Sequence, residues 1–102
     1  MIHREEYDYV TARAVTNLNA LIEVCGAMVK KNGYFIALRG SSGQSEIDGA
    51  NNAIKQMNFE CERIIEHTLN DGSLRVIGYL KKVGATPKKL PRKYSIIKQR
   101  PL

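Results

Sequence analysis

Several things these 102 residues do not contain narrow the reading before anything they do contain. No apolar run approaches the ~20 residues needed to cross a bilayer, and no signal-peptide pattern opens the chain, so a cytoplasmic protein with no membrane partner is expected. The two cysteines, Cys25 and Cys61, form no Cys-x-x-Cys pair and fall inside apolar patterns, where buried free thiols are expected ahead of a disulfide, a metal site or a nucleophile. His3 and His67 have no second ligand at useful spacing, so no metal is assigned. Neither a P-loop nor a Gly-x-Ser-x-Gly elbow is present, and the lack of a Ser-His-Asp or paired-carboxylate set argues against a hydrolase. There is no internal repeat. At this length the chain is one domain at most, with room for only a modest core.

Acid is missing from one place in particular. Residues 1–85 carry ten basic and ten acidic side chains, whereas residues 86–102 add Lys88, Lys89, Arg92, Lys93, Lys98 and Arg100 with no acid, so the whole net charge of +6 lies in the tail. A neutral body with a basic extension fits a polyanion partner, because every phosphate neutralised releases condensed counterions. A solvated, solubilising terminus is the other reading of the same charge.

What is present alternates between strand and helix patterns. Tyr7-Asp8-Tyr9-Val10 favours a strand, and the small or polar run Thr11-Ala12-Arg13-Ala14 is expected to stop it. Ligands of open α/β sheets bind outside the carboxyl ends of the strands, which makes Arg13 a candidate for contact with a small molecule, against the alternative that it ties down the loop. Thr16 or Asn17 can cap a helix whose apolar positions Leu18, Leu21, Ile22, Cys25, Met28 and Val29 share one face, with Asn32-Gly33 ending it. Tyr34 to Leu38 is a nearly continuous apolar run, which predicts a strand covered on both faces.

Arg39-Gly40-Ser41-Ser42-Gly43 reads as a loop. Ser45 with Asp48 resembles a capping box, and Ile47, Ala50, Ala53, Ile54 and Met57 trace a second helical face weakened by Gly49 and Asn51-Asn52. Phe59 to Leu69 predicts a long strand with a bulge near Ile64-Ile65, Asn70-Asp71-Gly72-Ser73 a turn, and Leu74 to Leu80 a returning strand inside the sheet. Two prolines among the cations of residues 86–94 predict an extended arm lying on a surface. The expected division is a lead-in at 1–6, an α/β body at 7–83 and a basic arm at 84–102. The expected order is β-α-β-α-β-β, with the last strand antiparallel and inserted beside parallel ones as in Rossmann-like methyltransferases.

The run Tyr7 to Val15, the Leu18-x-x-Leu21-x-Glu23 helix, the segment Val29 to Gly40 and the cluster Thr86-Pro87-Lys88-Lys89-Leu90-Pro91-Arg92-Lys93 resemble the C-terminal half of the bacterial RsmG (GidB) proteins. The resemblance implies a methyltransferase that uses S-adenosylmethionine to modify N7 of a guanine in 16S rRNA of the small ribosomal subunit. It also implies that the family's N-terminal half, with its glycine-rich turn and ribose-binding acid, is missing, so that the chain alone is inactive or very weak. By position it makes Arg13, with Thr11 and Ala12, cofactor-facing, and Arg39, where relatives usually carry lysine, and Arg75 RNA-facing. Lys88, Lys89, Arg92 and Lys93 would form an RNA-binding arm, with Tyr94 a stacking group or a residue packed on the domain. No catalytic residue is assigned. The Ser95-Ile96-Ile97 run departs from the Gly-Thr-Pro turn of relatives.

A small non-enzymatic RNA-binding or ribosome-associated module is the rival expectation, and a decayed gene product without function a third. With half the sheet missing, the open edge of the first strand is expected to drive self-association or to pair with a missing partner chain.

Overall fold

The computed structural model describes residues 5–13 and 17–102, and the backbone but not the side chain of Arg13 and Tyr94. The described elements are strand β1 (Tyr7–Arg13), helix α1 (Leu18–Gly26), strand β2 (Val29–Arg39), short helices α2 (Gly43–Gly49) and α3 (Asn51–Gln56), strands β3 (Phe59–Thr68) and β4 (Leu74–Lys82), and helix α4 (Tyr94–Gln99). The four strands form one sheet in the order β1-β2-β4-β3. β1 pairs with β2 in parallel, and β4 pairs antiparallel with both β2 and β3. The last strand therefore enters between two strands that run the same way, as the chain pattern predicted, and the architecture is broadly that of a Rossmann-like α/β methyltransferase.

Alternation along the strands assigns the two faces. Phe35 and Ala37 of β2, Val76 and Leu80 of β4 and Phe59 of β3 are buried together with Leu18 and Ile22 of α1 and with Ile47, Ala50, Ala53, Ile54 and Met57 of the α2–α3 region. Removing a side chain such as Ile22 from water contributes roughly 1.5–3 kcal/mol, and this face holds the fold together. The intervening residues Tyr34, Ile36, Leu38, Ile77 and Tyr79 are only half-buried, and Tyr9 is 66% exposed. The continuous apolar run of β2 predicted cover on both faces. Among the described residues only one face has it. Tyr9 and Tyr34 stack on the other, with ring centroids 5.9 Å apart.

Several boundaries differ from expectation for physical reasons. β1 runs through Arg13, because Thr11, Ala12 and Arg13 pair with Ile36, Ala37 and Leu38 and so continue the ladder. α1 begins where expected, with the Asn17 side chain accepting from the Asn19 and Ala20 amides, but ends at Gly26, well before Asn32-Gly33. A Cβ at Gly26 would lie 2.7 Å from the Phe59 ring, so this glycine permits close approach of helix and sheet. Met28 follows the helix, and Val29 already belongs to β2. β2 absorbs the predicted stop as an irregularity: Tyr7 pairs with Val29 but Tyr9 with Tyr34, and Asn32 takes a positive φ of 72°.

The second helical pattern splits at Ala50 into α2 and α3, and the Ser45 hydroxyl donates to the Ser42 carbonyl instead of capping a helix. The bulge in β3 falls between Cys61 and Arg63, not at Ile64-Ile65. Cys61 is exposed, against the expectation of a buried thiol, because it lies on the edge strand; both cysteines are free. The turn at 70–73 forms as read, with Gly72 at φ +87° and the Asp71 carboxylate accepting from the Ser73 amide.

Candidate functional site

The carboxyl ends of β1 and β2, the end of β3 and the start of β4 meet at one rim of the sheet, because β4 runs opposite to the others. Arg13 is the last residue of β1, beside Leu38. One strand further in, Arg39 ends β2 opposite Val76, and Arg75 faces His67 across the β3–β4 ladder. A cleft of about 520 Å³ opens here, lined by Leu38, Arg39, Gly40, Glu46, His67, Arg75, Val76 and Ile77. Two arginines 36 positions apart in sequence thus share one concavity with a histidine.

Packing aims these side chains. A Cβ at Gly43 would come within 2.6 Å of the Val76 Cβ and 2.9 Å of the Arg39 Cβ, so glycine lets α2 sit directly on the rim. That brings Glu46 to the Arg39 guanidinium, with which it is hydrogen-bonded and ion-paired, while the Ser42 hydroxyl donates to the other Glu46 oxygen at 2.7 Å. The Arg39 hydrogen bond holds the Glu46 carboxyl below the usual carboxylate range, outweighing the effect of burial. Arg39 is therefore a fixed cation with an oriented fork, and Arg75 an exposed one, hydrogen-bonded to its neighbour's carbonyl at 3.3 Å. Such a cleft suits an anion or the electron-rich edge of a base. Among the described residues no group of three His, Cys, Asp or Glu could hold a metal ion.

The other candidates are dispersed. Thr11 is exposed, Ala12 packs against the core and the side chain of Arg13 lies outside the described atoms. Lys88, Lys89 and Lys93 are exposed. Arg92 instead makes an internal contact: its backbone amide donates to Glu23 at 2.7 Å, and its guanidinium grips both Glu23 oxygens at 2.8 to 3.3 Å and donates to the Arg100 carbonyl at 2.7 Å. Glu23 is fully buried. Burial pushes its carboxyl up, but the hydrogen bonds from Arg92 outweigh it and hold the group below its ordinary value, while Glu23 raises Arg92. The arm is not simply extended: beyond residue 93 it turns into α4, which packs against α1.

Sequence reasoning missed His67 as a lining residue, and also Lys82. The Lys82 ammonium is fully buried, donating to the Gly26 carbonyl at 2.8 Å, the Val29 carbonyl at 3.2 Å and the Thr86 hydroxyl at 2.5 Å, and lying 5.0 Å from the Phe59 ring centroid. It shares the inward phase of Val76, Gly78 and Leu80, and that alternation was a signal that could have found it.

The family model for GidB, rRNA small subunit methyltransferase G, matches residues 1–73. The chain belongs to the GidB family. Among curated relatives, the ribosomal RNA small subunit methyltransferase G of Thermotoga neapolitana is 40% identical over 100 residues, covering 98% of this chain and 44% of the relative. That of Clostridium botulinum strain Loch Maree is 45% identical over 101 residues, covering 98% and 42%. That of Thermotoga maritima is 39% identical over 99 residues, covering 97% and 42%. This GidB-family chain thus spans less than half the length of the curated relatives it matches.

Proposed function

We propose that this chain is the C-terminal part of an S-adenosylmethionine-dependent methyltransferase that modifies N7 of a guanine in 16S rRNA of the small ribosomal subunit. The observation that carries the reading is the cationic cleft at the carboxyl rim of a GidB-family sheet, where Arg39 and Arg75 converge. Guanine N7 offers an in-plane lone pair and no proton, so transfer requires no general base. The work left to the protein is alignment and electrostatics. Arg39, fixed by Glu46, and the exposed Arg75 would hold RNA around the base, with His67 beside them.

One side of the cofactor would rest on the end of β1. β1 is an edge strand whose last residues, Thr11, Ala12 and Arg13, lie at the carboxyl rim. S-adenosylmethionine, when bound, supplies an electrophilic methyl group. Its other wall would come from the portion of the family that this chain does not match, so the chain alone is expected to be inactive. Cytoplasmic action follows from a ribosomal substrate, and among the described residues no helix is long and apolar enough to cross a membrane.

Calorimetry tests the reading. S-adenosylmethionine is expected not to bind the isolated chain at micromolar concentration, and mixing in the unmatched portion of the Thermotoga neapolitana relative is expected to restore binding and methyl transfer to ribosomal RNA. Micromolar affinity in the chain alone would overturn the idea of a partial site. The rival reading, a non-enzymatic RNA-binding module, is favoured by the exposed lysines of the ordered arm. It requires RNA binding indifferent to cofactor and to Arg13→Ala and lost on removing residues 86–102.

A further inference from the structure

Three hydrogen bonds trace the path of the basic arm along α1. Thr86 meets Lys82 beside the Gly26 carbonyl at the end of that helix, Arg92 grips Glu23 midway, and the Leu102 carbonyl accepts from the Asn19 side chain at 2.7 Å in the first turn. β4 delivers the chain to the end of the sheet opposite the cleft; the arm then runs back beside α1 toward the carboxyl rim where β1 ends. Its exposed cations travel with it. Lys98 and Arg100 are exposed on and just after α4, with no carboxylate partner among the described residues. Ile97, between them and the body, is buried.

We infer that Glu23 is a positioning residue for RNA binding: by gripping Arg92 it fixes the arm so that Lys98 and Arg100 form a preset phosphate-contacting surface toward the carboxyl rim. This rests on the reading of RNA as the partner and adds what orders the contact surface. The Glu23 carboxylate is buried and accepts from one backbone amide and one guanidinium of the arm, which in turn holds the Arg100 carbonyl. One buried acid therefore connects α1, the start of the cationic segment and its end. A surface ordered in advance loses less freedom on binding than a loose tail.

The sign of one substitution separates this from plain electrostatics. Glu23→Gln removes a negative charge and releases an arginine, and on charge alone both changes tighten binding to a polyanion. Loss of the grip predicts the opposite: roughly 5- to 10-fold weaker binding, as expected when a preset surface becomes mobile. The measurement is fluorescence anisotropy of the intact chain with a short fluorescein-labelled single-stranded RNA, repeated between roughly 50 and 200 mM salt. Hydrogen exchange of the same variant should show protection lost in residues 86–102 and kept in the sheet.

Lys98→Gln with Arg100→Gln changes only exposed side chains, so it bears on the proposal even if Glu23→Gln does not fold. It should lower the log–log salt slope by about 1.4, the value for two phosphate contacts on a single strand. Equal or tighter binding by folded Glu23→Gln, or an unchanged slope in the double variant, overturns the role given to Glu23 and leaves RNA as partner. No binding by the unaltered chain overturns both the role and the partner.

Discussion

The two most consequential side chains are charged and buried. Glu23 is fully buried and ion-paired with Arg92, so Arg92→Ala leaves a buried carboxylate with no cation, held only by the backbone amide of position 92, and is expected to cost about 3–5 kcal/mol, read as a fall in urea midpoint. The pH dependence has a definite sign. In the unaltered chain the folded-state value of Glu23 is depressed, so its contribution is complete above the unfolded value of about 4.3 and is lost as pH falls below it. Without the Arg92 side chain only the backbone amide of position 92 still opposes burial, so the folded value lies higher than in the unaltered chain. The stability gap between the two proteins should therefore shrink as pH falls through about 4; a gap constant from pH 7 to pH 3 would contradict the pairing. Lys82→Met removes a donor from two carbonyls and a hydroxyl, and a loss of about 1–3 kcal/mol in urea unfolding is expected.

Among the elements, legibility followed how local the deciding physics was. The Asn17 cap, the Asn70 to Ser73 turn and the inward position of β4 depend on neighbours in sequence, and all three appear where the residues placed them. The ends of β1 and α1 were misplaced because strangers decide them. Thr11 to Arg13 stay extended through pairing with β2, and α1 stops where Gly26 meets Phe59 and Lys82 takes its carbonyl. At the site, the convergence of Arg39 and Arg75 depends on β4 entering beside β2, which the strand pattern contained; the Glu23–Arg92 contact spans 69 positions and left no periodic trace. Gly43→Ala tests how tightly an element sets the cleft. Overpacking against Val76 and Arg39 is expected to cost about 1–3 kcal/mol in urea unfolding. The same displacement of α2 would loosen Glu46 from Arg39.

For the molecule as a whole, the unshared face of the sheet is the main liability. Tyr9, Tyr34, Ile36, Leu38, Ile77 and Tyr79 lie on one side that no described helix covers, and β1 is an edge strand of the described sheet. Such an edge recruits another chain. Sedimentation velocity is expected to show concentration-dependent dimers, and Ile36→Asp to shift them toward monomer; a monomer at all concentrations with a high melting temperature would contradict this. Addition of the unmatched portion of a relative should compete with the dimer if both use this face.

The Lys82 ammonium, enclosed by two carbonyls, a hydroxyl and an aromatic ring, also makes a built-in clock. Under reductive methylation the exposed amines of Lys88, Lys89 and Lys93 should be consumed at once, whereas this one should react only when β4 parts from α1. Peptide mass spectrometry of timed samples would then report how often that seam opens, with no dye, tag or added tryptophan.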